Sequence, residues 1–170
     1  MTRRYARAPR GERAYGSVPR NRGKNTTLIA SMTFSGMGAA MAFEGFTSAK
    51  VFEAYVEHFL APTLSAGQVV VLDNLGAHKS ERVRRLIEAR GANLIFLPAY
   101  SPDFSPIEEA FSKVKALLKK AAPRTRGALM EAIGQALAAV TTKDTQGWFA
   151  DCGYEVRRRP SSSPLGNTYE

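Results

Sequence analysis

The sequence predicts an α/β fold, a mixed sheet flanked by helices. Three observations carry that reading. Residues 26–34 (TTLIASMTF) and 39–44 (AAMAFE) are apolar segments either side of Ser35-Gly36-Met37-Gly38, the pattern of a hairpin. Residues 68–97 read strand, helix, strand with short links, a βαβ unit whose two strands should run parallel. Downstream, apolar residues recur at helical spacing in three further segments.

Taken in order, residues 1–24 are rich in Arg, Gly and Pro and show no clean period, so an irregular basic segment is expected, with a short strand near Ala14–Val18. After the hairpin, Ser48 can cap a helix over Ala49–Leu60 that gathers Val51, Phe52, Tyr55, Val56, Phe59 and Leu60 on one face, and Pro62 ends it. The run Gln68–Asp73 (QVVVLD) is a strand, and an apolar run of this kind suits a position buried inside a sheet. Ser80 caps a helix to about Ala89, with Val83, Leu86 and Ile87 inward, and Gly91 closes it. Residues 93–97 (NLIFL) form the second parallel strand. Helices are then expected over Pro106–Lys120, Arg126–Val140 (Leu129, Ile133, Leu137 and Val140 inward) and Asp144–Asp151, with Trp148 and Phe149 as core anchors. Residues 25–156 thus make one domain, and 157–170 (RRRPSSSPLGNTYE) have the composition of a disordered basic tail.

Composition narrows the function. With 170 residues and 44% apolar content the chain can build a core. No apolar run is long enough to span a membrane, the N-terminus lacks a secretory h-region, and Cys152 is alone, so a cytoplasmic protein is expected. The net charge of +9 is concentrated at the ends. Residues 1–24 hold eight basic residues (Arg3, Arg4, Arg7, Arg10, Arg13, Arg20, Arg22, Lys24) against Glu12, whereas residues 25–156 are neutral overall. Basic arms on a neutral body suit phosphate backbones, and they equally suit a solvated arm that aids solubility.

The chemistry centres on Asp73, a carboxylate where an apolar strand ends. Ligand sites in parallel sheets form beyond the carboxyl ends of the strands, while the structural alternative is an Asp that orders the following loop. In SPDFSPIEE, Glu108 lies at the first turn of a helix that the second parallel strand feeds. The structural alternative for Glu108 is a capping box with Ser105 and Pro106. Two carboxylates brought to one sheet edge repel unless a cation lies between them, and oxygen donors without a His or Cys cluster suit Mg²⁺ or Mn²⁺.

LDNLGAHKS followed by FLPAYSPDFSPIEEAFSKVK resembles the second half of a DDE transposase catalytic domain of the mariner superfamily, nearest its bacterial insertion-sequence branch, IS six-thirty. The family's second Asp matches Asp73 and its final acidic residue Glu108, with 34 residues between them, as is typical of the superfamily. The resemblance spans roughly residues 3–156. It implies an RNase H-like fold, a two-metal site and metal-dependent strand cleavage and transfer at transposon ends, with transposon and target DNA and a second transposase chain as partners. Asn74 and His78 also match; they would shape the site or hold the loop, and for His78 the loop role is favoured. Asp103 and Glu109 are weaker ligand candidates than Glu108, and Tyr100, Ser101 and Pro102 are expected to fix the turn. Lys113, Lys115, Lys119 and Lys120 are candidate phosphate contacts or else a solvated helix face. Cys152 is expected to be a small core residue.

The family's first catalytic Asp has no counterpart, since no Asp precedes Asp73 and the acids there are Glu12, Glu44, Glu53 and Glu57. The strand that would carry it is the central one of an RNase H-like sheet. The expectation is therefore an N-terminally truncated domain, through a misplaced start, a frameshift or decay, inactive alone and with a gap in its sheet. The alternative is a non-catalytic nucleic-acid-binding or inhibitory fragment.

Overall fold

The computed structural model describes residues 7–15, 24–99 and 101–154. Arg3, Arg4, Arg20, Arg22, Tyr100, most of the expected strand near Ala14–Val18 and the 157–170 tail lie outside the described residues. Ala14 and Tyr15, which are described, are irregular and exposed.

Strands β1 (Thr26–Thr33) and β2 (Gly36–Glu44) form an antiparallel hairpin. Its turn is shorter than expected, Phe34-Ser35, because Gly36 takes φ 140 and joins the ladder opposite Thr33. The register shifts between Ala30 and Met32, a local irregularity in the ladder. Helix α1 (Ala49–Tyr55) begins at Ser48, whose hydroxyl accepts from the Val51 N–H. It does not run regularly to Leu60. Val56–Leu60 form a π-turn in which the Ala61 N–H reaches the Val56 carbonyl, followed by a 3₁₀ turn over Ala61–Thr63. Pro62 has no N–H to give and its ring crowds the carbonyl four residues back, so the chain widens ahead of it.

Strands β3 (Val69–Leu72) and β4 (Asn93–Phe96) pair in parallel, with helix α2 (Glu81–Glu88) between them in sequence, as the βαβ reading requires. Ser80 caps α2 by accepting from the Arg82 N–H. Gly91 (φ 72) turns the chain back, and a side chain there would press within 3.0 Å of the Ala66 Cβ. Among the described residues no ladder joins β1–β2 to β3–β4.

Two apolar clusters hold these elements. Phe52, Tyr55, Val56, Leu60, Val83, Ile87 and Ala92 make the first, against Ile29 and Met41 of the hairpin and Val70, Leu72 and Leu94 of the parallel pair. Val114, Leu118, Ile133, Ala136 and Val140 make the second, against Leu28, Met37 and Ala42. Adjacent hairpin residues therefore serve opposite layers, Leu28 one and Ile29 the other, as the period of two dictates. The parallel pair is covered on one face: Val69, Val71 and Ile95 are about half exposed. The uninterrupted VVVL run suggested burial on both faces. The helices α1 and α2 pack over one of them, and no described element covers the other.

Helices α3 (Ile107–Ala121), α4 (Arg126–Ala138) and α5 (Thr142–Asp151) complete the chain. Helix α3 ends in Ala122 at φ 47, ahead of Pro123, and α4 stops before Val140, which is nonetheless buried. Helix α5 starts two residues earlier than expected because Thr141 and Asp144 form a capping box. Its first turn fastens the hairpin: Thr145 is fully buried and donates to the Phe34 carbonyl, and Thr142 donates to that of Ser35. Phe149 packs on Phe34 with ring centroids 4.1 Å apart, and Trp148 packs against the second cluster.

Lys113 of α3 reaches Asp144 at 2.6 Å. That ammonium and the Thr141 hydroxyl and N–H hold the Asp144 carboxyl well below the usual carboxylate range. A carboxyl whose pKa is depressed on folding contributes stability above its unfolded pKa, about 4, and loses it as pH falls through the folded value. Asp144→Asn should therefore lower the thermal midpoint at pH 7, and the gap to the parent should close as the pH is taken below about 4. Thermal scans across that range check it; a gap independent of pH would show that the ion pair is not the cause.

Candidate active site

Strand β3 delivers Asp73 at its carboxyl end, where the Leu97 N–H still bonds to the Leu72 carbonyl. The chain then turns through Gly76–His78 as a single 3₁₀ turn. That turn brings His78 back over Asp73. The imidazole Nδ1 lies 2.5 Å from Asp73 Oδ1, and the Leu75 N–H donates to the same oxygen at 3.1 Å. A carboxylate oxygen can only accept, so Nδ1 carries the proton and donates it. Oδ2 has no protein partner among the described residues. Oδ1 therefore orders the loop, the structural alternative for Asp73, while Oδ2 faces away from these two donors.

The His78 ring is 16% exposed and the Asp73 side chain 48%, so the base of the arrangement is shielded while the carboxylate faces solvent. Beneath the imidazole lies Phe52 of α1, ring centroids 4.0 Å apart. Phe52 is itself buried in the first core cluster. Asn74 is half-buried and forms no side-chain hydrogen bond with a described residue.

Strand β4 ends beside β3, Leu72 opposite Phe96, and residues 97–106 lead from that edge to α3. The turn Pro102–Phe104 is closed by the Phe104 N–H on the Ser101 carbonyl, and Tyr154 pins it by donating to the Phe104 carbonyl at 2.8 Å. The capping box at Ser105, the structural alternative for Glu108, does not form. Pro106 takes helical angles at the N-cap, and the Glu108 N–H bonds to the Ser105 carbonyl at 3.1 Å, so neither side chain is used. Glu108 is exposed on the first turn with its carboxylate uncommitted, at the helix end that favours negative charge.

The neighbouring acids have other surroundings. Burial raises the Cys152 pKa first, then Asp151, Glu109 and Asp103 in turn, which places Glu109 and Asp103 toward the end of α5. The raised value keeps the partly buried thiol protonated, in accord with a packing role. Glu53 accepts from the Ser80 hydroxyl, Glu57 pairs with Arg82 at 2.7 Å, and Glu44 pairs with Lys24 and Arg126.

The open oxygen of Asp73 and the exposed carboxylate of Glu108 are donors of the kind a hard divalent cation takes. Mg²⁺ keeps several waters and is commonly held by one or two carboxylates together with substrate phosphate oxygens. Among the described residues, Asp73 and Glu108 are the candidates whose oxygens could take such a role. A second cation would need a further carboxylate, and the described residues contain no group of three or more His, Cys, Asp or Glu able to hold a metal.

Of the cationic candidates, Arg7, Arg10, Arg13, Lys115, Lys119 and Lys120 are exposed, and Lys24 lies 3.7 Å from Glu44. Lys113 is engaged by Asp144. Sequence reasoning missed two things here: that engagement, and the Phe52 support beneath His78. Both join residues far apart in the chain. No helix among the described residues is long and apolar enough to cross a membrane.

Residues 1–130 match the family model described as DDE superfamily endonuclease. No curated protein matches. Among solved structures, a pre-cleavage Mos1 transpososome matches with TM-score 0.70 at 17% identity, covering 88% of this chain and 48% of that one. The Mos1 strand transfer complex matches at 0.68 and 18%, covering 88% and 46%. The catalytic domain of Mos1 mariner transposase matches at 0.61 and 17%, covering 76% and 69%. The chain thus spans about half the length of the first structures it matches, and its mixed α/β architecture is the RNase H-like fold of the Mos1 catalytic domain. The family match extends over most of the sequence and takes in the Asp73 loop and Glu108, and by it this chain belongs to the DDE endonuclease superfamily.

Proposed function

We propose that this chain is the carboxylate-bearing portion of a transposase catalytic domain, of the bacterial IS six-thirty branch, acting on transposon-end and target DNA in the cytoplasm. One observation carries the reading: Asp73 stands at the carboxyl end of a parallel strand with Oδ1 tied down and Oδ2 open to solvent. The family match and the Mos1 structures, one of them a paired-end complex with Mn, support it. Mg²⁺ or Mn²⁺ bound there would supply charge neutralisation at the scissile phosphate. The residues of the chain position: Asp73 and Glu108 present oxygens on the site, and Asn74 and His78 shape the loop around Asp73. Water is the first nucleophile and the freed 3′-OH the second, each attacking phosphorus in line.

Arg3, Arg4, Arg7, Arg10, Arg13, Arg20, Arg22 and Lys24, with Lys115, Lys119 and Lys120 of α3, are the phosphate contacts in this reading. Lys113 joins them only by giving up Asp144. On this reading the chain by itself binds DNA without cutting it, the family's first catalytic Asp having no counterpart ahead of Asp73, and a second transposase chain is the expected partner. The alternative, a non-catalytic or inhibitory DNA-binding fragment, draws on the same shortage of carboxylates.

The test is duplex DNA bearing the ends of the element, titrated at several salt concentrations and then incubated with Mn²⁺. Affinity should fall linearly on a log–log salt plot, and replacing Lys115, Lys119 and Lys120 by Gln should lower the slope by about one per lysine that touches phosphate. Nicking that disappears in Asp73→Ala and Glu108→Ala would show the site complete and overturn the fragment reading. A salt-independent affinity would overturn the DNA-binding reading.

A further inference from the structure

We propose that His78 is a positioning residue for Asp73: its imidazole, backed by Phe52, holds Oδ1 so that Oδ2 is presented to the cation. The inference rests on the reading of Asp73 as a cation ligand.

The argument begins with the freedom an unassisted Asp would have. A half-exposed aspartate on a loop turns about two side-chain bonds, and its outer torsion is broad and roughly two-fold. Either oxygen could then face the site or the loop. Here Oδ1 is taken by two donors that approach from the loop, the Leu75 N–H and His78 Nδ1. The backbone donor alone is the local bond an Asp makes two residues on, and it leaves the carboxylate free to rock. The second donor, from a ring five residues on, fixes the carboxylate plane.

His78 can do this because it does not itself move freely. It is 16% exposed and its ring lies over Phe52 at 4.0 Å, tilted by 33°. Phe52 is 3% exposed and belongs to the cluster that also holds Val83 and Ile87 of α2 and touches Leu72 at the end of β3. Core packing is thereby passed through Phe52 and His78 to the Asp73 carboxylate. Outer-shell partners of this kind typically change metal affinity by about 10–100-fold.

Two variants separate hydrogen bonding from packing. His78→Phe keeps a ring over Phe52 and loses the donor. His78→Asn loses the ring and keeps an N–H where Nδ1 stood. The probe is Mn²⁺ alone, titrated into the full chain and followed by the electron paramagnetic resonance signal of the free ion. Thermal unfolding of each variant is measured alongside.

The expected result is a crossed pattern. His78→Phe unfolds near the parent temperature and binds Mn²⁺ about 10-fold or more weaker, while His78→Asn unfolds lower and binds within about threefold of the parent. If Mn²⁺ affinity instead follows thermal stability, with Phe near the parent and Asn weak, His78 is a packing residue and the inference fails. Asp73→Asn tells this failure from that of the underlying reading. Mn²⁺ binding that is lost in Asp73→Asn but unchanged in His78→Phe overturns the positioning role alone. No Mn²⁺ binding by the parent, or binding indifferent to Asp73→Asn, overturns the cation-ligand reading, and the inference falls with it.

Discussion

Replacing Ile87 by Ala should destabilise the protein by about 3 kcal/mol, within the range of about 2–5 kcal/mol seen for buried large-to-small changes. Ile87 is completely buried on the inner side of α2. It sits in the cluster that joins α1, the π-turn, α2, the hairpin and the parallel pair. The neighbours cannot close around the lost volume. Tyr55 is pinned by its hydroxyl bond to the Ala39 carbonyl at 2.8 Å, and its raised pKa reflects the burial of that phenol. Helix α2 has only two turns, capped by Ser80 at one end and turned sharply at Gly91 at the other. A domain of this size has about 5–15 kcal/mol of stability in all, so the loss is a large share of it. Leu86, one position along and half-buried, is the control: Leu86→Ala should cost about half as much or less. Urea unfolding with an unchanged slope and a shifted midpoint is the measurement. Equal shifts for the two variants would mean that α2 packs in another register. Because Leu72 touches the same cluster and Asp73 follows it, the first cluster also sets the level of the candidate site.

Where local chemistry decides an element, the sequence shows it. Ser80 ahead of Val83 and Ile87 predicts α2, and the structure has both the cap and the buried pair. The βαβ spacing predicts a parallel pair, and Val69 to Leu72 run in register with Asn93 to Phe96. Where the outcome depends on what lies across the fold, the same signals are ambiguous. Two segments have the Ser/Thr-x-x-acid form of a capping box. The one at Thr141 forms, and the one at Ser105 does not, because Pro106 adopts helical angles and the Ser105 carbonyl takes the first bond. The run VVVL is equally a strand covered on two faces or on one, and only the placement of α1 and α2 decides for one.

The candidate site divides in the same way. Asp73 and Glu108 are legible as acids at the ends of apolar elements, and the resemblance to a known family singles them out. The partner of Asp73 is not legible. His78 reaches it only because residues 76–78 wind a 3₁₀ turn, and the ring stays there only because Phe52, in a different helix, lies beneath it. The sequence favours a loop role for His78. The bond to Asp73 Oδ1 serves that role, and the same bond is the one on which the proposed positioning of Asp73 rests.

Asp73→Asn should abolish Mn²⁺ binding by the full chain, a loss beyond about 100-fold, since removing an outer-shell partner alone costs about 10–100-fold. The substitution keeps the shape and still lets an oxygen accept from Leu75 and His78, so the loop should persist. What changes is the other atom. In place of Oδ2 the amide can put its NH₂ toward the cation, a donor where an anion is required. The effect on folding should be small because the side chain is half exposed and the oxygen that accepts from Leu75 and His78 is kept. Glu108→Gln should weaken binding to a smaller but clear extent, since its carboxylate is exposed and carried on a helix rather than tied down. Glu109→Gln and Asp103→Asn, whose carboxylates lie toward Cys152, should leave binding near that of the parent. This ordering distinguishes coordination from simple attraction of a cation to an acidic surface. General attraction would make the four variants alike and would be screened by added salt. Coordination makes Asp73 dominant, Glu108 second and the other two silent, and it survives at an ionic strength that screens exposed charges.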